Sequence, residues 1–258
     1  MQSKALPGSV VVLASSVGSL IVVFALAVIW VARLSIGYDV YVSALGAPGM
    51  PTAAWFQWAL VLVSVGGLLI AFSTLGIRGS AAVLGWWRPA TSLVLASGFF
   101  LFASQVTCTP GCPIPYGATF TWQDFVHTSA AVLAFALACW AMLQFAFLAD
   151  GRRLARLSLG CCVAVAAIAA AGGLMSLAGL EPELGSRFEL VATTIAIGWL
   201  VSVGVVTAVP PAPQRGSLRR TASARRLGLA TGSGLTRAAS ESTVRQPTAD
   251  ARGLSAPQ

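Results

Sequence analysis

The chain has 258 residues, of which 57% are hydrophobic and only 9% are charged, and its mean hydropathy is +0.82. A soluble domain carries roughly 25% charged residues, so this composition excludes an ordinary soluble domain and indicates a membrane protein. The formal net charge of +8 is concentrated after Pro210, where there are eight arginines and two acidic residues. A basic tail on a nearly neutral body argues against a nucleic-acid-binding domain, and nucleic acid is not an expected partner.

Six apolar segments follow one another, each close to the length of about 20 residues that crosses a bilayer as a helix. The first is too long for the h-region of a signal peptide, which has about 7–15 residues, so it is interpreted as an uncleaved span. The expected fold is all-α: a polytopic membrane bundle of six transmembrane helices in residues 1–209, followed by a disordered tail in 210–258. The predicted spans are Gly8–Ala32, Ala53–Gly76, Pro89–Val106, Phe125–Leu148, Leu157–Leu180 and Phe188–Val209.

Loop charges predict the orientation of the bundle. Basic residues lie in the segments after spans two and four and in the tail, whereas Ser35–Thr52 and Thr107–Asp124 contain none. The positive-inside rule therefore places both termini in the cytoplasm, with Arg33 as the one charge that disagrees. The tail is expected to contact the lipid bilayer, specifically anionic headgroups, through its first basic cluster: Arg215, Arg219, Arg220, Arg225 and Arg226.

Span five is rich in small residues that recur on one helix face. Such a face lets helix backbones approach closely in lipid. Packing inside the bundle is the first interpretation, and a homo-oligomer formed through span five is the alternative. The residues are Cys162, Ala166, Ala169, Gly173 and Ser176.

Cys108 and Cys112 lie in a loop that is predicted to face outward, where the environment is oxidising. The Pro-Gly turn between them brings the two Cα atoms within the reach of a disulfide, so this pair is the disulfide candidate. Two cysteines and one histidine, His127, fall short of the four ligands of a structural zinc site, and no metal or cofactor is expected.

Asp124 and His127 are three residues apart and share one face of a helix. One interpretation is that Thr121 and Asp124 cap the fourth span and that Asp124 holds His127. The other is a polar site on the outer face, formed by both residues together with Asp39 and Tyr41. The chain contains no nucleotide-binding loop, zinc-protease motif or nucleophile elbow, and no span has a carboxylate or a basic residue at its middle.

The run Asp39–Pro51, the segment Cys108–Pro113 and the Asp124-x-x-His127 pair together resemble the bacterial membrane proteins called domain of unknown function 998. The resemblance covers roughly Gly8–Val209 and implies six spans and the same outer-face residues, but it implies no activity. A more distant similarity connects the chain with six-span proteins of the damage-regulated autophagy modulator type.

The leading hypothesis is a non-enzymatic, multi-pass protein of a bacterial plasma membrane. Its outward polar site would bind a lipid headgroup, a small ligand or a partner protein. One alternative is a lipid-acting enzyme in which His127 is the general base and Asp124 orients it. The other is a small-molecule permease, which the lack of charged groups inside the spans disfavours.

Overall fold

The structure is a computed structural model that describes residues 7–77, 87–113, 117–148, 151–179 and 182–209. Within these ranges the chain forms six long α-helices and two short 3-10 helices, and no strand, so the predicted all-α fold is confirmed. The predicted tail and the lipid contacts of its arginines lie outside the described residues. The helices are α1 Gly8–Ser35, α2 Ala53–Ser73, α3 Pro89–Gln105, α4 Trp122–Ala146, α5 Arg152–Leu177 and α6 Pro182–Ala208.

Five of the six helices are long and apolar enough to cross a membrane. The exception, α3, is also apolar but has only 17 residues, which is about the lower limit for a membrane-spanning helix. Its start is set by Pro89 in the first turn, a position where the missing N–H costs no helical hydrogen bond.

The six helices form a closed ring. Each helix packs against its neighbours in sequence, α6 returns to pack against α1, and α2 also contacts α6. Val22, Ile70 and Val203 are fully buried where α1, α2 and α6 meet, so the centre of the core lies there. We call the end where α2, α4 and α6 begin the lid end, and the opposite end, where α6 stops, the tail end.

Two glycines allow α1 and α2 to pack backbone against backbone. A Cβ atom at Gly18 would lie 2.9 Å from the carbonyl oxygen of Gly66. A Cβ atom at Gly66 would lie 2.8 Å from the carbonyl oxygen of Gly18 and 2.5 Å from Cγ2 of Val22. Small residues at such a crossing are the usual means of close helix packing in lipid, where helices gain little from the hydrophobic effect.

The connection between α1 and α2, residues 36–52, folds into a compact structure that we call the lid. It contains a 3-10 helix, Ser43–Gly46. Leu45 within this helix and Ala47 directly after it are fully buried. The Thr52 hydroxyl donates a 2.9 Å hydrogen bond to the Leu45 carbonyl, which closes the lid onto the start of α2. This Gly- and Pro-rich run is therefore an organised loop.

Substitution of Gly66 by alanine tests the close packing of α1 and α2. The added methyl group has no space beside Val22 and Gly18, so we expect Gly66→Ala to lower the free energy of unfolding by about 1–3 kcal/mol. The measurement is the thermal unfolding midpoint of the purified protein in a mild detergent. The control is Gly98→Ala in α3, where a Cβ atom meets nothing within 4 Å. Equal midpoints for the two variants would contradict the packing described here.

Candidate functional site

Asp124 fastens the loop before α4 to the first turn of that helix. Its side chain is fully buried, and its backbone N–H donates a 3.0 Å hydrogen bond to the Thr121 hydroxyl, which confirms the predicted N-cap. The carboxylate accepts hydrogen bonds from the Thr109 backbone N–H at 2.7 Å and from the Thr109 hydroxyl at 2.8 Å. The Thr121 hydroxyl also donates to it. Asp124 therefore has a structural role in this protein.

The loop that Asp124 holds contains a disulfide between Cys108 and Cys112, with the two Cα atoms 5.2 Å apart. The chain turns between the two cysteines at Gly111, whose φ of +82° suits a residue without a side chain. The Cys112 N–H donates a 2.9 Å hydrogen bond to the Thr109 carbonyl across this turn. Thr109 is thus bound both by the turn and by Asp124.

His127 lies one turn further along α4 and is only 5% exposed. Its Nδ1 is 2.6 Å from the Val106 carbonyl oxygen, and a carbonyl can only accept, so Nδ1 carries the proton and donates. Nε2 is then the acceptor nitrogen. It makes no hydrogen bond within the described part of the chain, and His127 lines the adjoining cavity.

Asp124 does not hydrogen-bond His127, although one interpretation of the sequence was that Asp124 holds this residue. The two residues do share a helix face, but the Asp124 carboxylate is bound by the hydroxyls of Thr109 and Thr121. The imidazole instead contacts the backbone of Val106, at the end of α3. The spacing in sequence was therefore correct for proximity, but threonines in the preceding loop compete for the carboxylate.

Cys108, Cys112 and His127 are the described residues that converge in the manner of metal ligands, with one ligand atom of each within 4.8 Å of the others. The thiolate is the form of cysteine that binds a metal. While Cys108 and Cys112 are joined to each other, neither is a thiolate. With the disulfide in place, His127 is left as one ligand, too few for a structural metal site.

Asp39 forms an ion-pair network that joins α1 to α6. It binds Arg33, which also donates a 2.9 Å hydrogen bond to the Tyr38 carbonyl, and it accepts hydrogen bonds of 2.8 and 3.1 Å from Arg187. The hydrogen bond from Arg187, assisted by Arg33, lowers the pKa of Asp39 below its ordinary value. This network explains why Arg33 stands at the end of the bundle that was predicted to lack basic residues: Asp39 neutralises it.

Glu189 attaches the lid to α6. Its carboxylate accepts hydrogen bonds from two successive backbone N–H groups of the lid, Val42 at 2.7 Å and Ser43 at 3.2 Å. The side chain is only partly exposed, and it lines two neighbouring cavities together with Ser43 and His127. Glu189 therefore places a carboxylate in the same cavities as His127, at the lid end.

The two cavities differ in size and position. The smaller, of about 80 Å³, lies inside the ring between residues such as Ile29, Phe56 and Leu200. The larger, of about 590 Å³, lies between α4, α5 and α6 and falls in the range of about 300–1,000 Å³ that is typical of small-molecule sites. Nine of its 22 lining residues are alanine or glycine, and its polar side chains include Tyr41, His127 and Glu189.

The small-residue face that was predicted in span five forms much of this wall. Ala166, Ala169, Gly173 and Ser176 all line the larger cavity. Because these side chains are short, α5 leaves space between itself and α4 and α6 that bulkier residues would fill. The same helix is the least buried of the five long apolar helices, with 11% of its most apolar window buried.

The cavity contains two of the four residues that were predicted for an outer-face site. Tyr41 and His127 line it, whereas Asp39 and Asp124 are held in ion pairs and hydrogen bonds elsewhere at the lid end. Sequence reasoning grouped Glu189 with Glu181, Glu183 and Arg187 on the last outer loop, as further candidates for the outer-face site, and did not single it out. Glu189 is the only carboxylate within the sixth predicted span, Phe188–Val209, and this was the signal that could have identified it.

A closed ring of apolar helices, most of them long enough to cross a bilayer, with the described acidic residues at one end, defines a multi-span membrane protein. Residues 12–206 match the family described as "Protein of unknown function (DUF998)", and the chain belongs to this family. The family assignment made from the sequence is confirmed. No curated protein and no solved structure matches the chain.

The Asp39 network predicts a pH-dependent contribution to stability. Because the pKa of Asp39 is lowered in the folded protein, the stabilisation is fully present above its ordinary pKa of 3.8. It is lost as the pH falls through the lowered value. We expect Asp39→Asn to unfold at a lower temperature than wild type near neutral pH, and the difference to shrink in acid. The measurement is the unfolding midpoint at a series of pH values.

The control for this series is Arg152→Gln, which removes an exposed charge at the first residue of α5, at the tail end. A difference between wild type and Asp39→Asn that stays constant down to the most acidic conditions would contradict the assigned network.

The N-cap of α4 predicts a cost for Thr121→Ala. Loss of the hydroxyl leaves the Asp124 N–H without its cap, so we expect the free energy of unfolding to fall by about 0.5–2 kcal/mol. Denaturant or thermal unfolding in detergent measures this change. Thr119→Ala is the matched control, since Thr119 is exposed and makes no hydrogen bond within the described ranges. The cap is refuted if both variants unfold at the same point.

Proposed function

We propose that this protein binds one amphipathic lipid in the cavity between α4, α5 and α6. The hydrocarbon chain lies along the small-residue face of α5, and the headgroup lies at the lid end beside Tyr41, His127 and Glu189. The observation that carries the proposal is the cavity itself: about 590 Å³, apolar along α5, with its histidine and its glutamate on residues of the lid end. In this proposal the protein acts in a bacterial plasma membrane with the lid end outward.

The apolar wall supports a lipid over a polar metabolite. A pocket that binds a polar molecule needs donors and acceptors distributed around it, because each buried polar group must find a partner. Here the α5 side of the cavity presents residues such as Ala166, Ala169, Ala170 and Gly173. A hydrocarbon chain fits such a wall, and the volume suits one chain better than a whole two-chain lipid.

Binding is better supported than catalysis. The enzyme hypothesis required Asp124 to orient His127 as a general base, and the Asp124 carboxylate is bound by Thr109 and Thr121 instead. The Val106 carbonyl does orient the imidazole, but it carries no charge to stabilise the imidazolium that a general base becomes. Within the described residues the geometry therefore favours His127 as a hydrogen-bond acceptor for a headgroup.

Filling the cavity tests this function. We expect the wild-type protein, extracted into native nanodiscs and examined by native mass spectrometry, to retain a lipid of defined mass. Ala169→Phe places a large side chain in the cavity and is expected to remove most of that bound lipid. The control is Val163→Phe on the same helix, at a position that is 61% exposed and does not line the cavity. Identical spectra for the wild type and both folded variants would overturn the proposal.

A further inference from the structure

We infer that the lipid in this cavity carries a primary ammonium group in its headgroup, and that Glu189 binds this group. The inference rests on the proposed function, because it names the headgroup of the same ligand. It follows from the balance of charge and of hydrogen-bond donors and acceptors at the lid end of the cavity.

Charge is the first consideration. Glu189 is the one acidic residue among the described residues that line the two cavities, and no lysine or arginine lines either of them. A carboxylate that is withdrawn from water is stabilised by a cationic partner, by hydrogen bonds or by taking up a proton, and a cationic partner is what keeps it charged. Arg187, two residues before Glu189, and Arg33, in the last turn of α1, are both bound to Asp39. A cation for Glu189 is thus missing from this part of the chain, and a ligand can supply it.

Orientation is the second consideration. The N–H groups of Val42 and Ser43 each bind a different carboxylate oxygen of Glu189, at 2.7 and 3.2 Å, and together they fix the carboxylate in one direction. The Ser43 hydroxyl also donates to this carboxylate. A carboxylate accepts about four hydrogen bonds, so it retains capacity for a donor from the cavity. A site that is oriented before the ligand arrives loses less entropy on binding.

The neighbouring groups complete the match. Nε2 of His127 is an acceptor, since Nδ1 donates to Val106, and His127 lines the cavity. A primary ammonium has three N–H donors and no acceptor, which suits a carboxylate and an imidazole nitrogen together. Tyr41 also lines the cavity, and an aromatic ring favours a nearby cation. A headgroup that ends in an anion would instead place its negative charge near the Glu189 carboxylate. No described lysine or arginine lines the cavity to neutralise that charge.

Two single-chain lipids provide a direct test. Lysophosphatidylethanolamine and lysophosphatidylglycerol with the same acyl chain differ in having an ammonium group or a diol at the end of the headgroup. Both are titrated into the purified full chain in a non-ionic detergent, and bound lipid is measured by native mass spectrometry. We expect wild type to prefer the ethanolamine lipid by about tenfold or more, as a charge-assisted hydrogen bond would give.

Substitutions assign the preference to Glu189. Glu189→Gln keeps the size of the side chain and removes its charge, so we expect both lipids to bind but the preference to disappear. Glu183→Gln makes the same change on the same helix at an exposed position outside the cavities, and should preserve the wild-type preference. A preference that persists in Glu189→Gln would overturn the inference.

A third lipid tests the ammonium site with the wild-type protein alone, in case Glu189→Gln does not fold. Lysophosphatidylcholine has a cationic headgroup without N–H donors, so wild type should bind it more weakly than the ethanolamine lipid. Equal binding of all three lipids by wild type, still abolished by Ala169→Phe, would refute the ammonium site and leave the lipid cavity intact. Binding of none of them, or binding that Ala169→Phe does not change, would refute the proposed function and this inference together.

Discussion

The structure of the lid end depends on the hydrogen bonds from the backbone of Val42 and Ser43 to the carboxylate of Glu189. They place a loop of the first half of the chain on the last helix, and so they close the ring of helices at this end. They also hold a carboxylate at the end of a cavity whose α5 wall is mostly alanine and glycine. Because hydrocarbon offers no hydrogen bonds, such a carboxylate is retained only where the protein itself satisfies it.

Asp39 and Asp124 follow the same logic in the other connections. Asp124 binds the loop that contains the disulfide to the first turn of α4, and Asp39 joins Arg33 of α1 to Arg187 of α6. All three acids lie near the ends of helices, where a charge costs less than at the middle of a span. Each of them fixes the position of a segment that the packing of apolar side chains alone would not fix. The lid end is therefore organised by polar contacts, whereas the bundle itself is organised by small residues and close packing.

The small residues have opposite consequences in two places. At the crossing of α1 and α2, Gly18 and Gly66 bring two backbones into contact and leave no space. In α5, Ala169 and Gly173 face α4 and α6 without such contact, and a cavity of about 590 Å³ remains. The difference lies in what stands opposite: α2 presents a glycine to α1, but across the cavity α5 faces side chains such as Phe135 and Val132 that do not reach it. A small-residue pattern in sequence thus predicts either a tight crossing or a cavity.

Apolar length and composition alone determined the all-α membrane fold, because a helix is the structure that satisfies its own backbone in lipid. The local motif at Thr121 and Asp124 likewise determined a helix cap, since capping involves neighbours in sequence. The partners of long-range polar groups were decided only by the tertiary structure. His127 is near Asp124 in sequence but binds the Val106 carbonyl. Glu189 binds the backbone N–H of Val42 in the lid, 147 residues earlier in the chain. Hydrogen bonds are short and directional, so which groups meet depends on how the helices pack, and spacing along the chain does not contain that information.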